Sequence, residues 1–222
     1  MMTNNPLPPF AAVLLDMDGL SLDTESTYCL AWRQAAAEFG HLLDESICED
    51  LFGRQADDVE RLISQRLGSD YDRARFYRTA EKYWREYLLT HGVQPMPGLT
   101  ALLDHLNQRG IPHALATNSD QSHAEECLQH ARLTGAFRVM VTRDQVSRGK
   151  PAPDLFLEGA RRLGVPVTAC LVLEDSATGI AAARAAGAIP VLIQRRDSLR
   201  LRLAAEAHAA WASLEELIRV LA

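Results

Sequence analysis

Hydrophobic positions follow two patterns along this chain, which together predict an alternation of strands and helices. Short apolar runs of five or six residues are typical of buried parallel strands. Five such runs occur, at residues 11–16, 113–117, 137–142, 169–174 and 188–193. Leu99, Leu102, Leu103 and Leu106 show the i, i+3, i+4, i+7 spacing of an amphipathic helix. Strands that alternate with helices predict βαβ units, so we expect an α/β fold with a Rossmann-like parallel sheet of five to six strands flanked by helices.

Most of the interval between the first two runs departs from this alternation. From residue 22 to residue 95 the apolar residues keep helical spacing only, as at Tyr28, Trp32, Ala35 and Phe39. Ten of the 14 aromatic residues lie there, including all five tyrosines. This change in composition predicts an inserted helical domain at residues 22–95 and an α/β core domain formed by residues 10–21 and 96–222.

Charge and composition argue against several functional classes. The 222 residues carry a formal net charge of −6 without a basic block, which argues against nucleic-acid binding. The apolar runs are too short to cross a bilayer, and residues 1–9 lack the basic region of a signal peptide. The four cysteines are widely spaced and show no zinc-binding pattern. Cys127 and Cys170 lie in apolar patterns, so we expect buried thiols and a cytoplasmic protein.

Polar side chains follow four of the predicted strands. Asp16 and Asp18 end the first run, and Gly19 follows where the backbone must turn. Taken alone, the two acids are also compatible with an acidic N-cap region before a helix. The other strand ends are followed by Thr117-Asn118-Ser119, Arg148-Gly149-Lys150-Pro151 and Glu174-Asp175-Ser176. Because the carboxyl ends of parallel strands meet at one edge of a sheet, we expect these groups to lie together.

The strand-end carboxylates are hard oxygen ligands. Two acids two residues apart, as at Asp16 and Asp18, repel each other unless a cation or a shared proton compensates. With Asp175 or Glu174 they suit Mg²⁺, which binds carboxylates and completes its octahedron with water and phosphate oxygens. The sequence therefore predicts a Mg²⁺ site at this edge of the sheet.

The remaining strand-end groups are suited to a phosphate. The Thr117 hydroxyl and the backbone N–H groups that follow it at a helix start can donate to phosphate oxygens. Ser119 and Asp120 are interpreted as caps of that helix. Lys150 supplies positive charge to a dianionic group and to a neighbouring carboxylate. Positioning and charge neutralisation account for most of phosphoryl-transfer catalysis, and a carboxylate such as Asp16 can be the nucleophile.

Four motifs, each after a predicted strand, extend this interpretation to a protein family. They are Asp16-Met17-Asp18-Gly19-Leu20 with Asp23-Thr24-Glu25, Ala116-Thr117-Asn118-Ser119, Gly149-Lys150-Pro151-Ala152-Pro153-Asp154, and Leu173-Glu174-Asp175-Ser176 with Gly179. In these motifs the chain resembles the haloacid dehalogenase (HAD) superfamily of phosphohydrolases over residues 11–194. It is similar to the branch that carries a helical cap after the first strand, in the group of β-phosphoglucomutases and sugar-phosphate phosphatases.

The resemblance implies a role for each matching residue. Asp16 is expected to be the nucleophile that accepts the phosphoryl group, and Asp18 to protonate the leaving alkoxide and then activate water. Thr117 and Lys150 are expected to hold the transferring phosphate, and Lys150 also to orient Asp16. Asp175 is expected to bind Mg²⁺ with the Asp16 carboxylate and the backbone carbonyl of Asp18.

Four more residues complete the predicted site. Glu174 is a second acidic candidate for the metal, either directly or through water. Asn118 is a candidate contact for phosphate or substrate. In the family the cap closes over the site, excludes water and recognises the leaving group. Arg54 and Glu25 are therefore the candidate substrate contacts from the cap.

Two alternatives to a Mg²⁺-dependent phosphatase stay open at this point. A phosphomutase of the β-phosphoglucomutase type would share all four motifs, and a non-catalytic binding protein would share the fold. We expect a small phosphorylated metabolite as partner, with no nucleic acid and no membrane. We also expect a monomer or a weak homodimer.

Overall fold

The computed structural model describes residues 6–44, 47–48, 51, 56–68 and 71–221. Within these residues, six strands form one parallel sheet. The strands are β1 (Ala12–Leu15), β2 (His113–Ala116), β3 (Met140–Val141), β4 (Cys170–Glu174), β5 (Ile189–Ile193) and β6 (Ala209–Trp211). The α-helices are α1 (Thr24–Glu38), α2 (Ala56–Leu67), α3 (Arg73–His91), α4 (Leu99–Gln108), α5 (Gln121–His130), α6 (Asp154–Leu163), α7 (Ala177–Ala186), α8 (Asp197–Leu203) and α9 (Leu214–Leu221).

Strand β1 lies near the middle of the sheet, whose order is β3-β2-β1-β4-β5-β6. Its Leu15 is in register with Leu115 of β2 on one side and with Leu173 of β4 on the other. The chain order reverses between β1 and β4, and open α/β sheets bind ligands outside the carboxyl ends of the strands at such a switch point. Asp16 directly follows β1 and Glu174 ends β4, so both acids lie there.

The strands are buried on both faces of the sheet. Every residue of β1 is at most 1% exposed. Leu14 of β1 and Val172 of β4 belong to one apolar cluster with Phe156 of α6 and Ala183 of α7. Burial on both faces explains why the strands read as continuous apolar runs instead of alternating ones. This packing holds the strand ends, and the polar groups that follow them, in fixed positions.

The predicted α/β class and parallel sheet are confirmed. Four of the five predicted strands occur within one or two residues of their predicted bounds. The third is shorter than predicted, because only Met140 and Val141 pair with β2 at the edge of the sheet. Strand β6 has no counterpart among the predicted runs. Helix α7 starts after its N-cap Ser176 and ends at Gly187, whose φ of +76° is the left-handed value expected of a glycine there.

The chain divides into two compact units, one formed by residues up to Leu22 and from Pro95 onward and the other by residues 23–94. We call the first the α/β unit and the second the helical unit. Their divisions fall one residue from the boundaries predicted for an inserted helical domain.

Aromatic side chains form much of the core of the helical unit. Phe76 of α3 is fully buried and packs edge-on against Phe39, Tyr71 and Tyr77, with ring centroids 5.4–5.9 Å apart. The indole Nε1–H of Trp84 donates to the hydroxyl of Thr27 at 3.0 Å. The helical spacing of the aromatic residues is therefore accounted for by packing within this unit.

The cysteines meet the predictions only in part. Cys127 and Cys170 are buried free thiols, as expected. Cys29 and Cys48 form a disulfide within the helical unit, a pairing that the spacing of the cysteines alone does not reveal. Disulfides are typical of oxidising compartments, whereas buried free thiols occur in all compartments, and the cytoplasmic location stays a prediction. None of the described helices has the length and apolarity that a bilayer crossing requires.

Candidate active site

The end of β1 carries two acids on a tight turn. Asp16 is 7% exposed, and Asp18 is partly buried. Gly19 has a φ of +78°, and the backbone N–H of Leu22 donates back to the Met17 carbonyl at 2.9 Å. The turn thus places both carboxyl groups at the carboxyl edge of the sheet, as predicted.

Lys150 brings one positive charge into the site from the loop before α6. Its buried ammonium forms ion pairs with the Asp16 carboxylate and with Oε1 of Glu174, the second at 2.5 Å. The ammonium also lies 5.1 Å from the ring centroid of Phe156. Sequence separates Asp16 from Lys150 by 134 positions, and the parallel topology brings them into contact.

The side-chain amide of Asn118 holds the backbone of Lys150. Asn118 Oδ1 accepts from the Lys150 N–H at 2.8 Å, and Asn118 Nδ2 donates to the Lys150 carbonyl at 3.3 Å. Both polar ends of the amide are therefore used to place the lysine. The predicted contact of Asn118 with phosphate or substrate stays a prediction.

Glu174 and Asp175 bring two further acids to the site from the end of β4. Glu174 is fully buried, and its Oε2 accepts from the backbone N–H groups of Asp175 and Ser176 at 3.1 and 3.3 Å. The Ser176 hydroxyl donates to the same oxygen at 3.0 Å. The backbone carbonyl of Asp175 accepts from Nε2 of the buried Gln194 at 2.9 Å. The Glu174 carboxylate and the backbone of Asp175 are thus fixed by hydrogen bonds at the start of α7.

Asp16, Glu174 and Asp175 can converge on one cation. Each offers a carboxylate oxygen within 4.8 Å of the others, and all three residues are buried. A close, buried set of hard oxygen ligands fits Mg²⁺ better than a soft metal. The Asp18 carboxylate is not part of this cluster.

The site contains more acidic than basic side chains. Burial has the largest influence on the pKa of Asp16 and raises it, and the negative charges of Glu174 and Asp18 raise it further. The ammonium of Lys150 acts in the opposite direction, and the resulting pKa is about 8. Burial acts to lower the pKa of Lys150, but the Asp16 and Glu174 carboxylates hold it above its usual value. Lys150 therefore stays charged, yet one ammonium does not compensate these acids. A divalent cation would supply the missing positive charge.

Hydroxyl groups at the end of β2 contact Asp18. The buried Thr117 hydroxyl lies 3.4 Å from Asp18 Oδ2, and the Ser119 hydroxyl donates to the same oxygen at 2.9 Å. The interpretation of Ser119 as a helix cap is wrong, because its hydroxyl is used by Asp18. Thr117 and Ser119 lie in the loop that follows β2, so the position of Ser119 shortly after a strand end is the signal that could have pointed to it.

The other predicted residues have different outcomes. Asp120 occupies the N-cap position of α5 without a side-chain cap hydrogen bond, and Asp144 accepts from the Gln121 N–H instead. Glu25 lies in the first turn of α1, in the helical unit, and its substrate contact stays a prediction. Arg54 lies outside the described residues.

Comparison with known proteins agrees with this geometry. The sequence model of the haloacid dehalogenase-like hydrolase family matches residues 10–187 of this chain. The chain belongs to this family. It is 36% identical over 178 residues to fructose-1-phosphate phosphatase YqaB of Escherichia coli, covering 80% of this chain and 93% of the relative. It is also 36% identical to hexitol phosphatase A of E. coli, over 78% of each chain.

Solved structures show the same fold. The structure of a putative β-phosphoglucomutase from Thermotoga maritima superposes with a TM-score of 0.78 at 29% identity, covering 95% of this chain and 97% of that chain. The family match and the phosphatases among the relatives show that this protein hydrolyses phosphoric monoesters.

Proposed function

We propose that this HAD-like hydrolase is a Mg²⁺-dependent phosphatase that acts on a small phosphorylated sugar or sugar alcohol through a phosphorylated Asp16. The observation that carries the proposal is the buried contact of Asp16 with Lys150 beside the acidic pair Glu174 and Asp175. The sugar and hexitol phosphatases among its relatives support this substrate class.

Asp16 is the nucleophile in this proposal. A carboxylate oxygen forms a bond to the substrate phosphorus, and the bond between phosphorus and the ester oxygen breaks. Lys150 fixes the orientation of Asp16 through their ion pair and offers positive charge to the phosphate oxygens. Asn118 supports this function indirectly, because it holds the Lys150 backbone on both sides.

Asp18 is the general acid and then the general base. In the first step its carboxyl proton passes to the leaving alkoxide. In the second step the carboxylate takes a proton from water, which attacks the phosphorus of the phosphoaspartate and releases inorganic phosphate. The Ser119 hydroxyl positions the Asp18 carboxyl group, and the Thr117 hydroxyl, 3.4 Å from the same oxygen, turns to the phosphate when substrate binds.

The acidic cluster holds Mg²⁺ in this proposal, with Asp16, Asp175 and Glu174 as candidate ligands and the Asp18 backbone carbonyl as a further one. When bound, Mg²⁺ supplies positive charge that compensates the carboxylates and the incoming phosphate. Thr117, at the end of β2, is the proposed donor to the transferring phosphate. Arg54 and Glu25 are the candidate substrate contacts.

Phosphate release from defined substrates tests the proposal. The purified protein is incubated with fructose 1-phosphate, sorbitol 6-phosphate or p-nitrophenyl phosphate, in Mg²⁺ or in EDTA. We expect release in Mg²⁺, loss in EDTA, and loss in Asp16→Asn. Asp104→Asn is the matched control, because Asp104 is exposed on α4. Release that survives both EDTA and Asp16→Asn would contradict the proposal.

A phosphomutase is the second candidate, favoured by the structural similarity to a putative β-phosphoglucomutase. The same protein is incubated with β-glucose 1-phosphate and Mg²⁺. Conversion to glucose 6-phosphate without release of phosphate identifies a mutase, whereas hydrolysis of the sugar phosphates supports the phosphatase.

A further inference from the structure

Gly179 is the third residue of α7 and is buried. Glycine is a poorer helix former than alanine, because it loses more backbone freedom on folding. Most other positions of α7 are alanine, which is the smallest residue with a side chain. The glycine therefore requires a reason other than helix formation.

A side chain at position 179 would overlap the carboxyl group of Glu174. An ideal Cβ atom there would lie well inside van der Waals contact with Cδ and with both carboxylate oxygens of Glu174. The Glu174 carboxylate thus occupies the space that the missing side chain leaves. With any other residue at position 179, either the helix or the carboxylate has to move.

The carboxylate cannot move without losing its contacts. Its Oε2 accepts three hydrogen bonds from Asp175 and Ser176, and its Oε1 pairs with Lys150 at 2.5 Å. The Ser176 hydroxyl also accepts from the Gly179 N–H at 3.0 Å. The first turn of α7 and the Glu174 carboxylate are therefore held by a shared set of bonds, with Gly179 at the point of closest approach.

We propose that Gly179 is a positioning residue for the acidic site. Its missing side chain lets the Glu174 carboxylate sit against the start of α7, with one oxygen toward Lys150 and within the cluster of Asp16 and Asp175. This inference rests on the proposed metal site and adds Gly179 as a residue that fixes the position of one of its candidate ligands.

The test is the affinity of Gly179→Ala for Mn²⁺ and Mg²⁺, measured in the full protein by electron paramagnetic resonance and by calorimetry without substrate. Substitutions of residues that orient metal ligands weaken metal binding by about 10- to 100-fold, and we expect a loss of this size. The Mg²⁺ concentration for half-maximal phosphate release should rise in parallel.

Gly159→Ala is the matched control. Gly159 is a buried helical glycine of α6, and a Cβ there would meet the apolar side chain of Leu14, whose nearest methyl group lies at 3.0 Å. The control replaces a helical glycine of the same unit whose Cβ would not contact an acidic side chain. It should leave the metal affinity unchanged, whatever its effect on the free energy of unfolding.

A second variant keeps the test decisive where Gly179→Ala folds poorly. Glu174→Asp shortens the acid by one methylene and withdraws it from position 179. In the Glu174→Asp background, Gly179→Ala should therefore weaken metal binding much less than in the wild-type background. The double variant should also fold.

The outcomes separate this inference from the proposed function. Wild-type protein that binds neither Mn²⁺ nor Mg²⁺ overturns the metal site. Wild-type binding with equal affinity in Gly179→Ala overturns the positioning role alone. The positioning role is also overturned if Gly179→Ala weakens metal binding equally in the wild-type and Glu174→Asp backgrounds. It is overturned as well if Gly179→Ala prevents folding both alone and together with Glu174→Asp. A large loss that Glu174→Asp suppresses supports it.

Discussion

The two units of this molecule bury different kinds of polar groups. In the α/β unit the buried charged residues are Asp16, Lys150, Glu174, Asp175 and Arg200. Among the described residues of the helical unit, the buried polar side chains are the hydroxyls of Thr24 and Thr27. One unit thus holds acidic and basic side chains away from water, and the other is packed from apolar and aromatic side chains.

This difference indicates how stability and function are divided. A buried ion pair contributes little net stability, because desolvation opposes the attraction between the charges. Removing one partner is costly, however, since the other is left buried and unpaired. We therefore expect substitutions in the site to change activity strongly, and core substitutions in the helical unit to change stability without changing the metal site.

Lys150→Met should have the largest effect and is the strongest test of this comparison. It leaves the Asp16 and Glu174 carboxylates without their common partner. We expect the phosphatase rate to fall by about 10²–10³-fold or more. The free energy of unfolding, measured in urea at neutral pH without metal, should fall by about 3–5 kcal/mol. The control Lys82→Met, at an exposed position of α3, should change neither quantity.

Phe76→Ala should lower stability by a similar amount but leave the acidic site unchanged. Phe76 is fully buried in the aromatic cluster of the helical unit. Losing a buried phenyl ring costs about 3–5 kcal/mol of unfolding free energy. We expect the Mn²⁺ affinity of the folded protein to equal that of the wild type. Leu89→Ala, at a residue 78% exposed, is the control for stability. A change in Mn²⁺ affinity with Phe76→Ala would break the division between the units.

Glu158→Gln should have the smallest effect, and it tests whether charge matters only where it is buried. Hydrogen bonds from Arg161 and Arg162 lower the pKa of Glu158 to about 2. Because the folded protein lowers this pKa, the stabilisation is present above about pH 4.5 and is lost as the pH falls toward 2.

Solvent screens these pairs on α6, so Glu158→Gln should lower the unfolding free energy at pH 7 by less than about 0.5 kcal/mol. The difference from wild type should shrink further as the pH falls, as followed by urea titrations. A loss near that of Lys150→Met would show that exposed charges matter as much as buried ones.

The strand ends were predictable because burial on both faces leaves continuous apolar runs, and parallel topology brings their ends together. Strand β6 was not predictable in this way, because three residues with two alanines form too short and too weak a strand pattern. The third run was overestimated because β3 lies at the sheet edge and pairs only with β2.

The acids and the lysine of the site were predictable from their positions after strands. The interpretation of Ser119 failed because a hydroxyl before a helix suggests a cap, and only the fold shows its contact with Asp18. Asn118 contacts Lys150, which is far from it in sequence. The role of Gly179 depends on the side chain that glycine lacks. Periodicity carries no information about such contacts.

The central claim is that Asp16 accepts the phosphoryl group. The direct measurement is a rapid acid quench of the wild-type protein with Mg²⁺ and the best substrate of the panel, followed by proteolysis and mass spectrometry. We predict one phosphoryl group on Asp16 that forms and decays at rates compatible with turnover. Asp16→Asn should form none and should lose at least about 10⁴-fold in rate. A phosphoryl group on another residue, or turnover retained in Asp16→Asn, would contradict the account.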